Sequence, residues 1–275
     1  MRRILPFVLC LTMLNFSLFA GEEKVTLSAS LVGMSMDYRE YSYAGELLDS
    51  EKSTLNEMIG SEFRIGYLKD EGNNRSSEFG INLTLLGGQT EYVGSLIDSG
   101  LGYGSYIGKT NNFIYDVSLD YKYSWFNTDG FGVSTGVGLG YRSWRRELSP
   151  NQVEVYTWVS LRPQLGVFYI YDAVKLSIIG EYQFGFDTKM AILANSENTT
   201  TSVNLGSADI MELNIPLSLA ISQDVDLFVE YSYQEQKIGA SNVVPYVING
   251  TTYGIYEPES SASNHYFKLG ATVKF

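Results

Sequence analysis

Apolar and polar residues alternate along most of this chain with the two-residue period of a β-strand that has one apolar and one polar face. In 113–125, for example, Phe113, Val117 and Trp125 share one face, while Asp116 and Lys122 share the other. Helical periodicity is nowhere comparably strong. Each strand-like segment is long enough for the roughly 9–11 tilted residues that cross a bilayer. Ten such segments have approximate cores at 25–41, 58–68, 78–92, 112–126, 131–146, 153–170, 174–186, 210–221, 225–235 and 265–275.

The connections between these segments are sorted by length. The long ones, 42–57, 93–111, 187–209 and 236–264, fall on one side of the predicted sheet, opposite the tight turns at 127–130, 171–173 and 222–224. This asymmetry is typical of membrane-spanning barrels, whereas a soluble β-sandwich has no reason for it. We predict an all-β fold, a closed antiparallel transmembrane β-barrel of about ten strands. Eight or twelve strands are the alternatives, because 93–111 or 236–264 has room for a further hairpin.

The last eleven residues alternate strictly and end on an aromatic residue. Phe267, Leu269, Val273 and Phe275 occupy one face of this segment. It resembles the C-terminal strand of bacterial outer-membrane β-barrel proteins. The resemblance implies that these four residues close the barrel and form the signal read by the barrel assembly machinery. It also implies an outer-membrane location, with outer-membrane lipid and lipopolysaccharide as partners.

The other end of the chain has the features of a secretory signal peptide. Arg2 and Arg3 precede an apolar stretch from Ile4 to Phe19, and Ala20 is a suitable cleavage position. We expect 1–20 to be removed, leaving 21–275 as the barrel with long extracellular loops. The single cysteine lies in the removed segment, so no disulfide is expected. A net charge of −12 argues against nucleic-acid binding by phosphate neutralisation.

Aromatic residues at the ends of the apolar faces predict two girdles at the membrane interfaces, where amphipathic rings lie at the headgroup level. The alternative is ordinary aromatic enrichment in strands, which does not explain the sorting to strand ends. The predicted periplasmic girdle contains Tyr67, Phe79, Trp125, Phe131 and Tyr169, and the outer one contains Phe113, Tyr115, Tyr141, Tyr182, Phe184, Tyr231 and Phe267.

The polar faces predict a lumen lined by charges of both signs. A barrel of about ten strands is only slightly wider than one whose interior is filled by side chains. The mixed charges therefore favour a plugged, structural interior, with a narrow porin-like channel as the alternative. The predicted lumen network consists of Glu62, Arg64, Asp116, Asp120, Lys122, Arg142, Arg162, Glu181, Glu230 and Lys268. Pro163 and Pro216 interrupt predicted strands, where we expect a bulge or a partner strand that tolerates the lost hydrogen bond.

Enzymatic barrels are a further alternative. The chain resembles the omptin outer-membrane proteases in strand count and loop layout only, and that family's catalysis involves two acidic pairs, one of them an Asp with a His. The single histidine, His265, has no Asp-x-His neighbour, and no omptin motif can be matched. Ser261 and Ser263 lie near His265, but a lone histidine beside loop serines is seldom a general base. We expect no enzymatic activity, no catalytic residues, no cofactor and no metal.

Tyrosines in the outer loops are candidates for recognition, because tyrosine surrounded by Ser, Gly and Asn gives adaptable binding surfaces. The alternative is that the strands extend beyond the membrane and these tyrosines pack among themselves. We predict a surface-exposed structural, adhesion or ligand-binding barrel with an unknown extracellular ligand. The candidate loop residues are Tyr41, Tyr43, Tyr103, Tyr106, Tyr246, Tyr253 and Tyr256.

Overall fold

The protein is a closed antiparallel β-barrel. The computed structural model describes residues 23–95, 102–149, 152–193, 200–248 and 251–275, and the predicted signal peptide over 1–20 lies outside them. No helix in the described ranges is long and apolar enough to cross a membrane. The strands are β1 (Glu23–Tyr41), β2 (Leu47–Lys52), β3 (Met58–Asp70), β4 (Arg75–Gly94), β5 (Tyr106–Phe126), β6 (Phe131–Ser149), β7 (Gln152–Tyr171), β8 (Val174–Leu193), β9 (Thr200–Asn204), β10 (Ala208–Ala220), β11 (Val225–Ile238), β12 (Val244–Ile248), β13 (Thr251–Ile255) and β14 (Glu259–Lys274).

Ten of these strands form the ring. The order β1–β3–β4–β5–β6–β7–β8–β10–β11–β14 returns to β1, and every neighbouring pair is antiparallel. This confirms the predicted fold class and the count of ten. We call the end of the barrel that carries Glu23 and Phe275 the lower end and the opposite end the upper end.

The upper connections are shorter than the predicted long loops, because the strands continue into them. The short strand β2 occupies part of 42–57 and pairs with β1 and β4, extending the wall above β3. In the same way β9 pairs with the upper part of β8. Within 236–264, β12 and β13 form a separate two-stranded sheet. The additional hairpin that the sequence allowed therefore exists, but it does not join the barrel.

At the lower end, tight turns connect the strands, and the C-terminal residue pairs with the first strand. Asn127 Oδ1 accepts hydrogen bonds from the backbone N–H groups of Asp129 and Phe131, at 3.0 and 2.9 Å. Strand β14 pairs with β1 on one edge and β11 on the other. The main chain of Phe275 exchanges hydrogen bonds of 2.9 and 3.3 Å with Val25. The last strand therefore completes the wall, and its role in membrane insertion stays a prediction.

Pro163 and Pro216, the two prolines within predicted strands, each interrupt the hydrogen-bonded pairing of their strand with β8. The β7–β8 pairing is absent between Leu161 and Gln164, which brackets Pro163. The β8–β10 pairing is absent between Asn214 and Leu217, which brackets Pro216. On its other edge each proline-bearing strand keeps a continuous register with its neighbour. Strand β8 therefore tolerates the lost bonds, because it is held by pairing above and below each gap.

The apolar face changes sides along the barrel. In the lower part of β1, Leu27 and Leu31 point outward and are exposed, whereas Met34, Met36 and Tyr38 in the upper part point inward and are buried. A strand has only two faces, so this reversal marks a change of surroundings along the wall. The lower part has the apolar exterior of a barrel in lipid, and the upper part has the apolar interior of a barrel in water. We call the outward-facing apolar surface of the lower part the apolar band.

The upper limit of the apolar band can be tested in β6, because Val137, within the band, and Ser143, above it, share the outward face of this strand. We expect Val137→Arg to lower the free energy of unfolding in lipid vesicles by about 2–4 kcal/mol, since an arginine is then placed near the middle of the hydrocarbon region. The control Ser143→Arg, above the apolar band, should cost no more than about 1 kcal/mol. Equal costs in denaturant titrations would contradict the boundary.

Candidate functional site

The lower barrel encloses a polar, partly open cavity of about 260 Å³. All ten residues of the predicted lumen charge network line it, and they come from seven strands of the ring. The structure therefore brings together the charges that the alternation assigned to the inner face. This part of the lumen retains space for several water molecules.

Ion pairs organise most of these charges. Arg64 donates to Glu78 at 2.9 Å and to Asp120 at 2.8 Å, and Lys122 pairs with Glu78 at 2.7 Å. Glycine at position 80 leaves room for the guanidinium of Arg64, which occupies the space that a Cβ would need. The small residues of the inner face thus accommodate long basic side chains, and the bases are held against the wall.

Two further groups complete the network. Asp116 accepts hydrogen bonds from Arg142 at 2.7 Å and from Arg162 at 2.9 Å. Lys268 lies 2.9 Å from both Glu62 and Glu230. Because removing one partner of a buried ion pair leaves an uncompensated charge, these groups fix one another in position.

An apolar layer lies above the cavity. Its bulky members Met34, Met58, Trp144 and Trp158 are at most 2 % exposed, so they leave almost no accessible surface within the lumen. A void beside this layer has a volume of about 10 Å³, which is about the minimum that one water molecule needs. The layer contains Val32, Met34, Met36, Met58, Leu86, Ile114, Trp144, Trp158, Ile210, Ala262 and Tyr266.

The prediction of a uniformly polar inward face is wrong at the level of this layer. The sequence nevertheless contains an indication of the layer, because the apolar residues shift from one set of alternating positions to the other within a strand. Trp144 follows Arg142 on the inward face of β6, and Met34 and Met36 occupy positions in β1 that are out of phase with Leu27. Such a shift within one strand predicts that its apolar face turns from the outside of the barrel to the inside.

A buried arginine lies above the apolar layer. The guanidinium of Arg146 is 0 % exposed and donates to Glu51 at 2.6 Å, to Glu40 at 2.8 Å and to Glu154 at 2.9 Å. It also lies 4.4 Å from the ring centroid of Tyr38, a cation–π contact that burial strengthens. These residues come from β1, β2, β6 and β7, so a single cation ties together widely separated parts of the upper wall.

One upper connection adds a fourth carboxyl group. Tyr156 contacts Arg146 and donates a hydrogen bond to Glu257, which lies between β13 and β14. Ser241 holds this segment by accepting a hydrogen bond from the backbone N–H of Glu257 at 2.8 Å. The connection therefore folds inward over the barrel. We call Arg146 with Glu40, Glu51, Glu154, Glu257, Tyr38 and Tyr156 the Arg146 cluster.

The Arg146 cluster contains more acid than base, and this shifts proton binding. Burial raises the pKa of Glu257 well above its usual range. Burial also raises the pKa of Glu154, where Glu40 adds to the effect and Arg146 opposes it. Nearby, burial and the repulsion of Glu40 raise the pKa of Asp49 to about 7. Several of these carboxyl groups are therefore neutral under conditions in which an exposed carboxyl group is ionised.

The single histidine does not point into the barrel. His265 is exposed on the outer wall, where its Nδ1 lies 2.8 Å from the hydroxyl of Tyr231 and its ring lies 5.2 Å from that of Tyr233. Its register partners are Ser35 and Tyr233. The structure therefore places His265 beside the upper predicted girdle and away from the carboxylates of the interior.

Nearly all residues of the two predicted girdles project from the wall. Phe79, Phe131 and Tyr169 are half-exposed near the lower end, and Phe113 and Phe267 are half-exposed near the upper limit of the apolar band. Trp125, Tyr141, Tyr182, Phe184 and Tyr231 are also exposed, while Tyr67 and Tyr115 are partly covered by neighbours. Leu269, from the predicted barrel-closing set, is exposed on the same surface, Val273 is partly covered, and Phe275 is exposed at the lower end.

The upper tyrosines make contacts within the molecule. Tyr43 stacks on Tyr256 with ring centroids 4.9 Å apart, and the hydroxyls of Tyr103 and Ser50 lie 2.9 Å apart. Tyr106 packs against Tyr92, and Tyr41 ends β1. The side chains of Tyr246 and Tyr253 lie outside the described residues. Packing of this kind supports the alternative that strands extend upward and tyrosines contact one another.

The comparisons with known proteins identify the fold. No protein-family model matches the chain, and no curated protein is similar to it in sequence. The outer membrane protease OmpT from Escherichia coli superposes with a TM-score of 0.59 at 11 % identity, covering 94 % of this chain and 99 % of that one. The translocator domain of the autotransporter NalP from Neisseria meningitidis gives 0.43 at 12 % identity, covering 94 % and 89 %. The chain therefore has the fold of bacterial outer-membrane β-barrels.

Removing the buried cation should destabilise the upper barrel. We expect Arg146→Ala to lower the free energy of unfolding by about 3–5 kcal/mol, because buried carboxylates then lack their partner. The matched control is Arg145→Ala on the outer wall, whose exposed ion pair with Glu147 is worth at most about 1 kcal/mol. A denaturation midpoint that is the same in both variants would contradict the role of Arg146. Adding Glu51→Gln to the Arg146→Ala variant should restore part of the loss.

The raised carboxyl pKa values predict that the protein is more stable in acid than in mild base. The folded state binds these protons more tightly than the unfolded state, so the free energy of unfolding falls as the pH rises from about 4 towards the folded-state pKa values. Each such group contributes a loss of unfolding free energy that approaches about 1.4 kcal/mol per pH unit. The contribution of Asp49 ends near its folded-state pKa of about 7.

Thermal unfolding in detergent between pH 4 and pH 8 measures this slope. Glu257→Gln should flatten it, whereas Glu147→Gln, on the outer wall, should leave it unchanged. An unaltered slope in Glu257→Gln would show that Glu257 is ionised in the folded protein.

Proposed function

We propose that the protein is an integral outer-membrane barrel that does not conduct solutes. The observation that carries this proposal is the apolar layer, in which Met34, Met58, Trp144 and Trp158 are packed across the lumen with almost no accessible surface. A hydrated ion does not fit through such a layer, because the largest void beside its side chains is only about 10 Å³, and losing its hydration shell would be costly. The Arg146 cluster lies above the layer and cross-links the same part of the wall.

Two observations support the outer-membrane location. The fold is shared with OmpT, and the apolar band surrounds the lower barrel. Outer-membrane lipid and lipopolysaccharide would then contact the band, and the barrel assembly machinery would insert the chain after cleavage near Ala20.

With the lumen closed, the upper exterior is the part available for interaction. Its outward residues are charged and partly paired, as in Asp37, which lies 3.0 Å from Arg39 and 3.3 Å from Lys52. The stacked pair of Tyr43 and Tyr256 lies at the same end. A surface-exposed structural, adhesion or ligand-binding role fits these features. A non-enzymatic role is part of the proposal, because His265 lies on the outer wall apart from the buried acids.

Planar-bilayer recording tests the closed lumen. Purified refolded protein should give no stable ohmic steps, whereas a porin-like channel would give them and would overturn the proposal. Trp144→Ala with Trp158→Ala should raise the leak of small ions, because the layer loses its two largest side chains. The matched control is Trp125→Ala on the outer wall, which should leave the baseline unchanged.

A further inference from the structure

Two carboxylates in the lower cavity lack a basic partner. Glu181 on β8 and Glu212 on β10 are directly opposite in the register and both line the cavity. Among the residues that the structure describes, neither forms an ion pair with a lysine or arginine. Two like charges on facing positions repel each other. The cavity lining as a whole has six carboxyl groups against five basic side chains, so one negative charge has no basic counterpart in it.

The groups that do contact these carboxylates are neutral amides. Gln164 donates to Glu181 at 3.0 Å, Gln183 donates to Glu181 at 2.8 Å, and Gln234 donates to Glu212 at 2.8 Å. Amide donors satisfy single lone pairs, but they add no net positive charge. The pair is thus held in place without being compensated.

Buried acceptors beside the pair also lack donors. Gln183 is 1 % exposed; its Nε2 donates to the carboxylates, and its Oε1 has no hydrogen-bond partner among the described residues. Asn214 Oδ1 is likewise buried and without a partner. Both residues line the cavity. An unpaired buried acceptor costs free energy, so two of them beside two carboxylates indicate a position built for a donor that the chain does not supply.

The other cations of the cavity are already engaged. Arg142 and Arg162 share Asp116, and Lys268 bridges Glu62 and Glu230. Among the described residues, no group of three or more His, Cys, Asp or Glu side chains is arranged to hold a metal ion. A partner that brings both positive charge and N–H donors would satisfy the carboxylates and the buried acceptors together.

We propose that Glu181, Glu212, Gln183 and Asn214 form a binding site for a small organic cation with a primary ammonium group. The ammonium supplies three N–H donors and one positive charge, which match the acceptors and the uncompensated carboxylates. A cavity of about 260 Å³ also has room for a short carbon chain. The cavity is partly open and the apolar layer lies above it, so the ligand enters without crossing the layer. The site therefore does not depend on the proposal that the lumen is closed to solutes.

The test uses ethylammonium chloride and the refolded full-length barrel in detergent. We expect the melting temperature to rise by on the order of 5 °C at a concentration 100 times the Kd. Tetramethylammonium chloride at the same ionic strength has the same charge but no N–H donor, and sodium chloride tests for simple screening. Both should give a much smaller rise.

Isosteric variants locate the effect. Glu181→Gln and Glu212→Gln each remove one of two repelling charges, so both should fold, and each should lose most of the ethylammonium shift. Glu147→Gln on the outer wall should keep it. The proposal is overturned if ethylammonium gives no shift in the unmodified barrel, if tetramethylammonium or sodium gives an equal shift, or if Glu212→Gln responds like the unmodified barrel.

Discussion

A β-strand has two faces, and in a closed barrel one of them must face inward along its whole length. The rest of this structure depends on that constraint. Where the outside of the wall is apolar, as at Leu27 and Leu31, the inside carries charges and glycines. Where the outside is polar, the inside carries the apolar layer and, at the level of Arg39 and Arg145, the buried Arg146 cluster. The same strands therefore build a polar cavity, an apolar layer and the Arg146 cluster in succession.

The Arg146 cluster shows how the upper barrel is held once lipid no longer surrounds it. A fully buried guanidinium is stable only if its donors are satisfied and its charge is balanced. Glu51 is equally buried and also accepts from Thr90 at 2.5 Å and from Asn112 at 3.2 Å. Because the remaining carboxyl groups exceed the single cation, protonation balances the charge, which couples this part of the wall to pH.

The layers divide the interior by chemistry. The apolar layer excludes ions because its tightly packed side chains leave almost no accessible space, so any ligand of the lower cavity stays below it. Within the cavity, Asp116 pairs with two arginines and Lys268 with two glutamates, so the surplus charges of these two groups offset each other. Glu181 and Glu212 have no direct ion pair among the described residues. Closure of the lumen and binding in the lumen are thus separate properties that different side chains control.

The sequence by itself determined the ten strands of the ring and the polar inward face of the lower barrel, because alternation is local and Asp116, Arg142 and their eight partners in the predicted network could be assigned from it. The loop lengths were overestimated, since β2 pairs with β4, which is distant in sequence, and β9 pairs with the upper part of β8, the strand before it. The distant partners of Arg146 could not be predicted, because Glu40 and Glu51 meet it only when the wall closes. Tertiary structure alone decided these contacts, because closure and stagger of the ring set which inward residues share a level.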